Sequence, residues 1–235
     1  MKYIRLRAAA QLIYTGYCLV LFFFMGLSVL IVNLFLTSLR WRRWVAGVFS
    51  RAFLHGAGIP FRVEGLDRLP PVPCVVVANH ASYIDGLVVA AALPPDFAFV
   101  IKKEMVRVPF ASLLLRRLGS QFVERFNRHQ SGVDARRVLK LAATGQSLIF
   151  FPEGTFNHVR QIGKFLGGAF TTAARSNMPV VAVAIHGTRA VLPPSGTAIH
   201  RLPIRVEILE VMTAGDAKQY SRELIARALN ESLAS

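Results

Sequence analysis

The sequence predicts an α/β fold: a mixed central sheet flanked by helices, preceded by an N-terminal helical anchor that is membrane-embedded and amphipathic. Three observations predict it. From Val63 to Leu209 short apolar runs alternate with helix-like stretches, the pattern of a layered α/β domain. Proline-bearing connectors at 69–73, 93–95 and 192–194 separate those elements. Ahead of them, from Ala8 to Leu39, no residue carries a charge.

That uncharged span comes first in the chain. As one helix it would be roughly 48 Å long, against a hydrocarbon core of about 30 Å, so it is expected to tilt, bend near Gly16 or Gly26, or run partly in the interface. Lys2, Arg5 and Arg7 precede it as they would in a signal peptide. The apolar region is too long for one, however, and no small-residue cleavage site precedes a polar start. Next, Arg40–Phe53 reads as an amphipathic helix in the membrane interface. Trp41, Val45, Val48 and Ala52 fall on one face and Arg40, Arg43 and Arg51 on another, with tryptophans at headgroup level and arginines on phosphates. Residues 1–58 are thus read as membrane-anchoring helices and 59–235 as the catalytic domain.

Within that domain the expected strands are Cys74–Ala78, Phe97–Ile101, Gln121–Glu124, Leu148–Phe151, Val180–Ile185 and Ile204–Ile208. Helices are expected at Gly86–Leu93, Pro109–Leu118, Gly132–Ala143, Gly163–Arg175 and Ser221–Leu233.

The composition narrows the function classes. Of 235 residues 53% are hydrophobic and 17% charged, too apolar for a disordered chain. The formal charge of +15 calls for an anionic partner: nucleic acid, anionic lipid, or an acidic or phosphorylated substrate. Cys18 and Cys74 lie in separate apolar runs and read as small buried hydrophobes. The histidines His55, His80, His129, His158, His186 and His200 form no metal-ligand spacing, and no Gly-x-Ser-x-Gly elbow is present. A metal enzyme and a serine lipid hydrolase are therefore disfavoured. No glycine-rich nucleotide loop occurs either, so no bound cofactor is expected.

The chemistry concentrates after the run 74–78, in Asn79-His80-Ala81-Ser82-Tyr83-Ile84-Asp85. A strand that ends on a histidine, with a carboxylate five positions later, puts two ionisable groups at a strand-to-helix turn. His80 can take a proton from a substrate hydroxyl while Asp85 holds the imidazole in one tautomer. Phe151-Pro152-Glu153-Gly154-Thr155 follows another apolar run, and there glycine permits a tight turn and a close backbone approach.

At these residues the chain resembles the glycerolipid acyltransferases, typified by bacterial 1-acyl-glycerol-3-phosphate acyltransferase. The family's Asn-His-x4-Asp block matches Asn79, His80 and Asp85; its Gly-x-x-Phe-x-x-Arg block matches Gly119, Phe122 and Arg125; its Pro-Glu-Gly-Thr block matches Pro152–Thr155. A fourth, a proline-led apolar strand, matches Pro179–Ile185, and the likeness runs from about Phe61 to about Thr188. The resemblance implies a fatty acyl transfer from acyl-CoA or an acyl-carrier protein to the free hydroxyl of 1-acyl-glycerol-3-phosphate. His80 would be the base and Asp85 its orienter. Asn79, Lys102, Arg125, Glu153, Gly154 and Thr155 would bind substrate, with Arg125 gripping a phosphate in bidentate fashion. It further implies the inner membrane, with the domain on the cytoplasmic face.

The chain departs from the family in two places. Phe156 stands where an arginine usually follows Pro-Glu-Gly-Thr, and Phe165-Leu166-Gly167-Gly168 lacks the usual lysine. Arg160, Lys164 or Arg189 would have to compensate, or the acceptor differs: another lysophospholipid or an amine-containing lysolipid. A non-catalytic, basic membrane-binding protein is the alternative of another class. Nucleic acid is not an expected partner, because the basic residues follow membrane flanks and site loops rather than an aromatic-interleaved surface.

Overall fold

The computed structural model describes residues 2–124, 128–155, 159–194 and 196–234. In chain order the elements are α1 (Lys2–Phe35), α2 (Leu39–Gly56), β1 (Phe61–Glu64), β2 (Val75–Ala78), α3 (Asp85–Ala92), β3 (Phe97–Lys102), α4 (Pro109–Arg117) and β4 (Gln121–Val123). There follow α5 (Arg128–Ala143), β5 (Ser147–Phe150), β6 (Gln161–Ile162), α6 (Gly168–Arg175), β7 (Val180–His186), α7 (Thr188–Val191), β8 (Ile204–Met212), α8 (Ala217–Leu229) and β9 (Ser232–Leu233). Short 3-10 turns at Leu66–Arg68 and Lys103–Arg107 join β1 to β2 and β3 to α4.

A seven-stranded sheet in the order β1-β8-β7-β2-β5-β3-β4 forms the centre. Its pairings are parallel except β7–β8, so the sheet is mixed, as expected. Residue alternation divides its side chains between two cores. Val76, Ala78, Val181, Val183 and Ile185 face α2, α3 and the inner stripe of α1. Val75, Val77, Val180 and Ala182 face α5, α6 and α8. Since β2, β5, β3 and β7 run parallel, their carboxyl ends share one edge of the sheet, the edge where α/β folds bind ligands.

The N-terminal helices belong to the first of these cores. Cys18 of α1, Phe53 and Leu54 of α2 and Ala57, which caps α2, are buried with the sheet residues. Gly47 lets α2 cross α3 backbone to backbone, because a Cβ there would lie 2.8 Å from the Ala90 carbonyl oxygen. Trp41 and Trp44 stay exposed and pack edge to face, with ring centroids 5.4 Å apart.

Arg43 departs from the expected helix face. It is 8% exposed rather than on the solvated side, donating from Nε to Leu118 O at 3.0 Å and from NH1 to Gln146 Oε1 at 2.7 Å. Burial lowers its pKa to about 10, with a smaller opposing contribution from Asp96. A guanidinium satisfies the end of a helix as readily as it satisfies a phosphate, and helical periodicity does not distinguish these partners. Arg117 does the same for α1, with donors on Asn33 O and Leu34 O at 2.7–3.1 Å.

Two C-terminal expectations also change. Gly163–Arg175 is not helical throughout: Gln161–Ile162 is a strand, and the helix begins at Gly168 after Leu166 N–H has turned back to Pro152 O at 2.8 Å. The last helix runs from Ala217 to Leu229, ending where Asn230 takes φ +53°, and Ser232–Leu233 pairs with β6. β1 is an additional strand, beyond the first expected one.

Candidate active site

The turn after β2 brings together Asn79, His80 and Asp85, held mostly by hydrogen bonds to backbone. Asn79 is buried, and its amide pairs with the backbone of Ile185 in both directions, Nδ2 to the carbonyl at 3.0 Å and Oδ1 from the N–H at 2.7 Å. In this way the side chain continues the β2–β7 pairing past the end of the strand, where the main chain turns away. Ser82 Oγ donates to Leu192 O at 2.7 Å, fastening the turn to the loop after α7.

His80 Nδ1 lies 2.8 Å from Asp85 Oδ2, with the imidazole 20% exposed and the carboxylate fully buried. The same Oδ2 accepts the N–H groups of Ala81 and Ser82 at 2.7 and 2.8 Å. An oxygen that already accepts two peptide N–H groups is an acceptor towards the imidazole as well, which directs the ring proton to Nδ1 and leaves the basic lone pair at Nε2. Asp85 also opens α3, where the helix dipole favours negative charge. The peptide groups at 81 and 82 are thereby committed to Asp85 and do not serve a substrate oxyanion.

Glu153 reaches the same turn from the loop after β5. Its Oε1 accepts the His80 N–H at 2.8 Å and its Oε2 accepts the Gly163 N–H at 2.7 Å. Burial raises its pKa; the two N–H donors oppose that rise, as does the neighbouring His80, while Asp85 adds to it. Glu153 therefore shapes the turn through its carboxylate. The Phe151 ring stacks on the imidazole at 4.6 Å and 26°. Sequence reading missed Phe151, Gly163 and Ser82 as site residues; only their nearness to the blocks offered a signal.

Behind His80 opens a cavity of about 410 Å³, walled by α1, α2, α3, α4 and β3. Phe22, Val29, Phe53, Leu87 and Leu115 represent its apolar lining, and His80, Lys102 and Gly154 lie at its polar end. Gly154, at φ +79°, takes a left-handed turn that favours glycine. Thr155 is exposed, while Arg125 and Phe156 lie outside the described residues. Of the other cations, Lys103 sits 3.8 Å from Glu124 and Arg160 is 3.8 Å from Glu231, whereas Arg189 lies on α7, whose following residue Leu192 accepts the Ser82 hydroxyl. Cys74 is buried in the core, its thiol pushed up to about 11 by burial. Among the described residues no cluster of His, Cys, Asp and Glu is placed to hold a metal ion.

The acyltransferase family profile matches residues 60–186, more than half of the chain. The chain belongs to that family. A 1-acyl-sn-glycerol-3-phosphate acyltransferase from Pseudomonas aeruginosa is 30% identical over 177 residues, covering 73% of this chain and 67% of that protein. A chloroplastic enzyme of the same name from Brassica napus is 31% identical over 139 residues, 58% of this chain but only 40% of that longer one. A lyso-ornithine lipid O-acyltransferase from Rhizobium meliloti is 32% identical over 171 residues, covering 71% of this chain and 56% of its own. The crystal structure of the 1-acyl-sn-glycerophosphate acyltransferase PlsC from Thermotoga maritima superposes with a TM-score of 0.78 at 21% identity, covering 96% of both chains, and confirms the fold.

Proposed function

We propose that this chain transfers a fatty acyl group from a carrier thioester, acyl-CoA or acyl-carrier protein, to the free hydroxyl of 1-acyl-glycerol-3-phosphate. The observation that carries the reading is the His80–Asp85 pair at 2.8 Å, set at the polar end of an apolar cavity of about 410 Å³. His80 Nε2 accepts the hydroxyl proton as the oxygen attacks the thioester carbonyl. The tetrahedral oxyanion then collapses, the carbon–sulfur bond breaks, and the imidazolium returns its proton to the leaving thiolate. Ester and thiol are the products, and no cofactor is consumed. Asp85 stabilises the transient imidazolium, the cavity takes an acyl chain, and Lys102 at its mouth supplies positive charge for the oxyanion or the acceptor phosphate.

The reading places the enzyme at the cytoplasmic face of the inner membrane, resting in one leaflet. Support comes from how α1 is held. About a third of the way along, Tyr14 OH donates to Ala57 O at 2.8 Å, and near the carboxyl end Arg117 holds Asn33 O at 2.7 Å. A helix fastened to the domain at both places lies along it between them. Its outer residues, including Ile13, Phe23, Phe24 and Phe35, are exposed, as are Trp41 and Phe110. That surface suits the interface of a bilayer.

The test uses purified protein in lipid nanodiscs, labelled acyl thioesters and a panel of lysolipids, with His80→Ala as control. Labelled phosphatidic acid that disappears in the control supports the reading. An amine-containing acceptor is the second reading, favoured by Phe156 in place of a family arginine and by the Rhizobium relative. Label on that lysolipid alone would replace the acceptor and keep the mechanism. No His80-dependent transfer to any acceptor would overturn the assignment.

A further inference from the structure

Away from the cavity, Arg222 of α8 is bound to the loop that follows Glu153. Its Nε donates to Gly163 O at 2.8 Å, and its NH2 donates to Ile162 O at 3.0 Å and to Ala234 O. Ala234 N–H returns to Ile162 O at 2.9 Å beside the β6–β9 pair. A parallel pair of two residues per strand is marginal by itself, so the guanidinium, fixing carbonyls on both segments, is what closes it.

The clamped segment ends at Gly163, whose N–H holds Glu153 Oε2 at 2.7 Å. Glycine suits the position, because a Cβ would stand 3.0 Å from that same oxygen and push the carboxylate aside by a few tenths of an ångström. The other carboxylate oxygen holds the peptide N–H of His80 at 2.8 Å. An unbroken series of hydrogen bonds thus runs from α8 and β9 to the backbone of the proposed base.

We propose that the Arg222–β6–β9 clamp positions His80: it fixes Gly163, Gly163 orients Glu153, and Glu153 sets the His80 peptide. Arg222 and Ala234 are positioning residues that touch no reacting atom, and the assignment deepens the transferase reading above. Misplacing a base by about 1 Å can cost up to about a hundredfold in rate, so a clamp of this kind has a measurable consequence. Losing the Gly163 N–H removes a donor that favours ionised Glu153. The charged groups acting on that carboxyl are His80, which also favours ionisation, and Asp85, which opposes it. With the donor lost, Glu153 protonates at higher pH.

The experiment compares Arg222→Ala and Ala234→Pro with Arg227→Ala, whose exposed guanidinium, 3.6 Å from Glu223, makes no contact with the clamp. Each full-length variant is placed in nanodiscs and followed by amide hydrogen exchange, melting midpoint and kinetics. We expect faster exchange at Gly163 and His80 in both clamp variants and not in the control. The kcat should fall on the order of tenfold with KM within about twofold, and the acid limb should move to higher pH. Unchanged exchange at His80 in both variants overturns the clamp, whether or not the chain transfers acyl groups. So does a fall in kcat that tracks only the folded fraction, with the acid limb unmoved. Absence of His80-dependent transfer in the unmodified protein instead removes the transferase reading, while the exchange measurement still judges the clamp.

Discussion

At the carboxyl end of β2 the side chains of Asn79, Asp85 and Glu153 are held by hydrogen bonds of 2.7–3.0 Å, almost all to backbone groups. The cavity behind them is walled instead by side chains such as Phe22, Val29, Leu87 and Leu115, which set a volume and fix no direction. In the proposed reaction the first region would hold one nitrogen in place to a fraction of an ångström, which directional bonds achieve. The second would admit a flexible hydrocarbon, for which non-directional burial suffices. Changes in the polar turn should therefore appear in kcat, and changes in the cavity in which acyl chain is chosen.

The largest effect tests the polar turn directly. His80→Ala should reduce transfer on the order of 10³-fold with the far-ultraviolet circular dichroism unchanged, and Asp85→Asn should cost less, because its amide oxygen can keep the three bonds made by Oδ2 while the charge that stabilises the imidazolium is lost. Glu153→Gln should follow. Its amide oxygen can replace one acceptor, but its NH2 opposes the second N–H, costing about 1–3 kcal/mol in a denaturant titration and roughly tenfold or more in kcat. The pH dependence has a definite sign. Burial raises the Glu153 pKa, so the ionised clamp is lost, and activity with it, as pH falls through a value above the usual carboxylate range. For stability the same shift acts oppositely: the protonated form is favoured by folding, and this contribution fades as pH rises through the raised pKa. A pH–rate profile beside a pH–melting curve would separate the two.

The cavity should respond in selectivity. Gly26 lines it from α1, and a Cβ there meets nothing within 4 Å. Gly26→Leu should leave the fold intact and shift kcat/KM about tenfold towards shorter acyl chains, read from competition between donors of different length. An equal loss for all chain lengths would break the contrast between the two regions. Smallest is the outer surface: Trp41→Ser with Trp44→Ser should weaken vesicle partitioning roughly threefold to tenfold and leave kcat in detergent unchanged.

Much of this was legible beforehand. The apolar runs before His80, Lys102 and Phe151 are strands fully or partly buried against both helical layers, and such strands show themselves as short, nearly continuous apolar runs. His80 and Asp85 were legible because the pair is local, spanning a single turn. Glu153 was visible as part of a block, but its partners His80 and Gly163 are respectively 73 and 10 positions away, and no spacing rule reports a bond to backbone. Arg43 was misread for a related reason: its sequence neighbourhood is that of an interfacial arginine, whereas its partners, Leu118 and Gln146, arrive from distant elements.

By itself, then, the sequence determined the alternation of strands and helices, the long uncharged span of α1 and the local His80–Asp85 pair, since each depends on residues within a few turns of one another. Only the tertiary structure decided that α1 and α2 share a core with the sheet, that they enclose a cavity ending at His80, and that α8 and β9 are tied to the proposed base through Gly163 and Glu153. The first two rest on apolar faces brought together from distant parts of the chain, and the last on backbone groups meeting across long stretches of it. Every residue carries the same N–H and C=O, so their pairing is written in the packing and not in the identity of the residues.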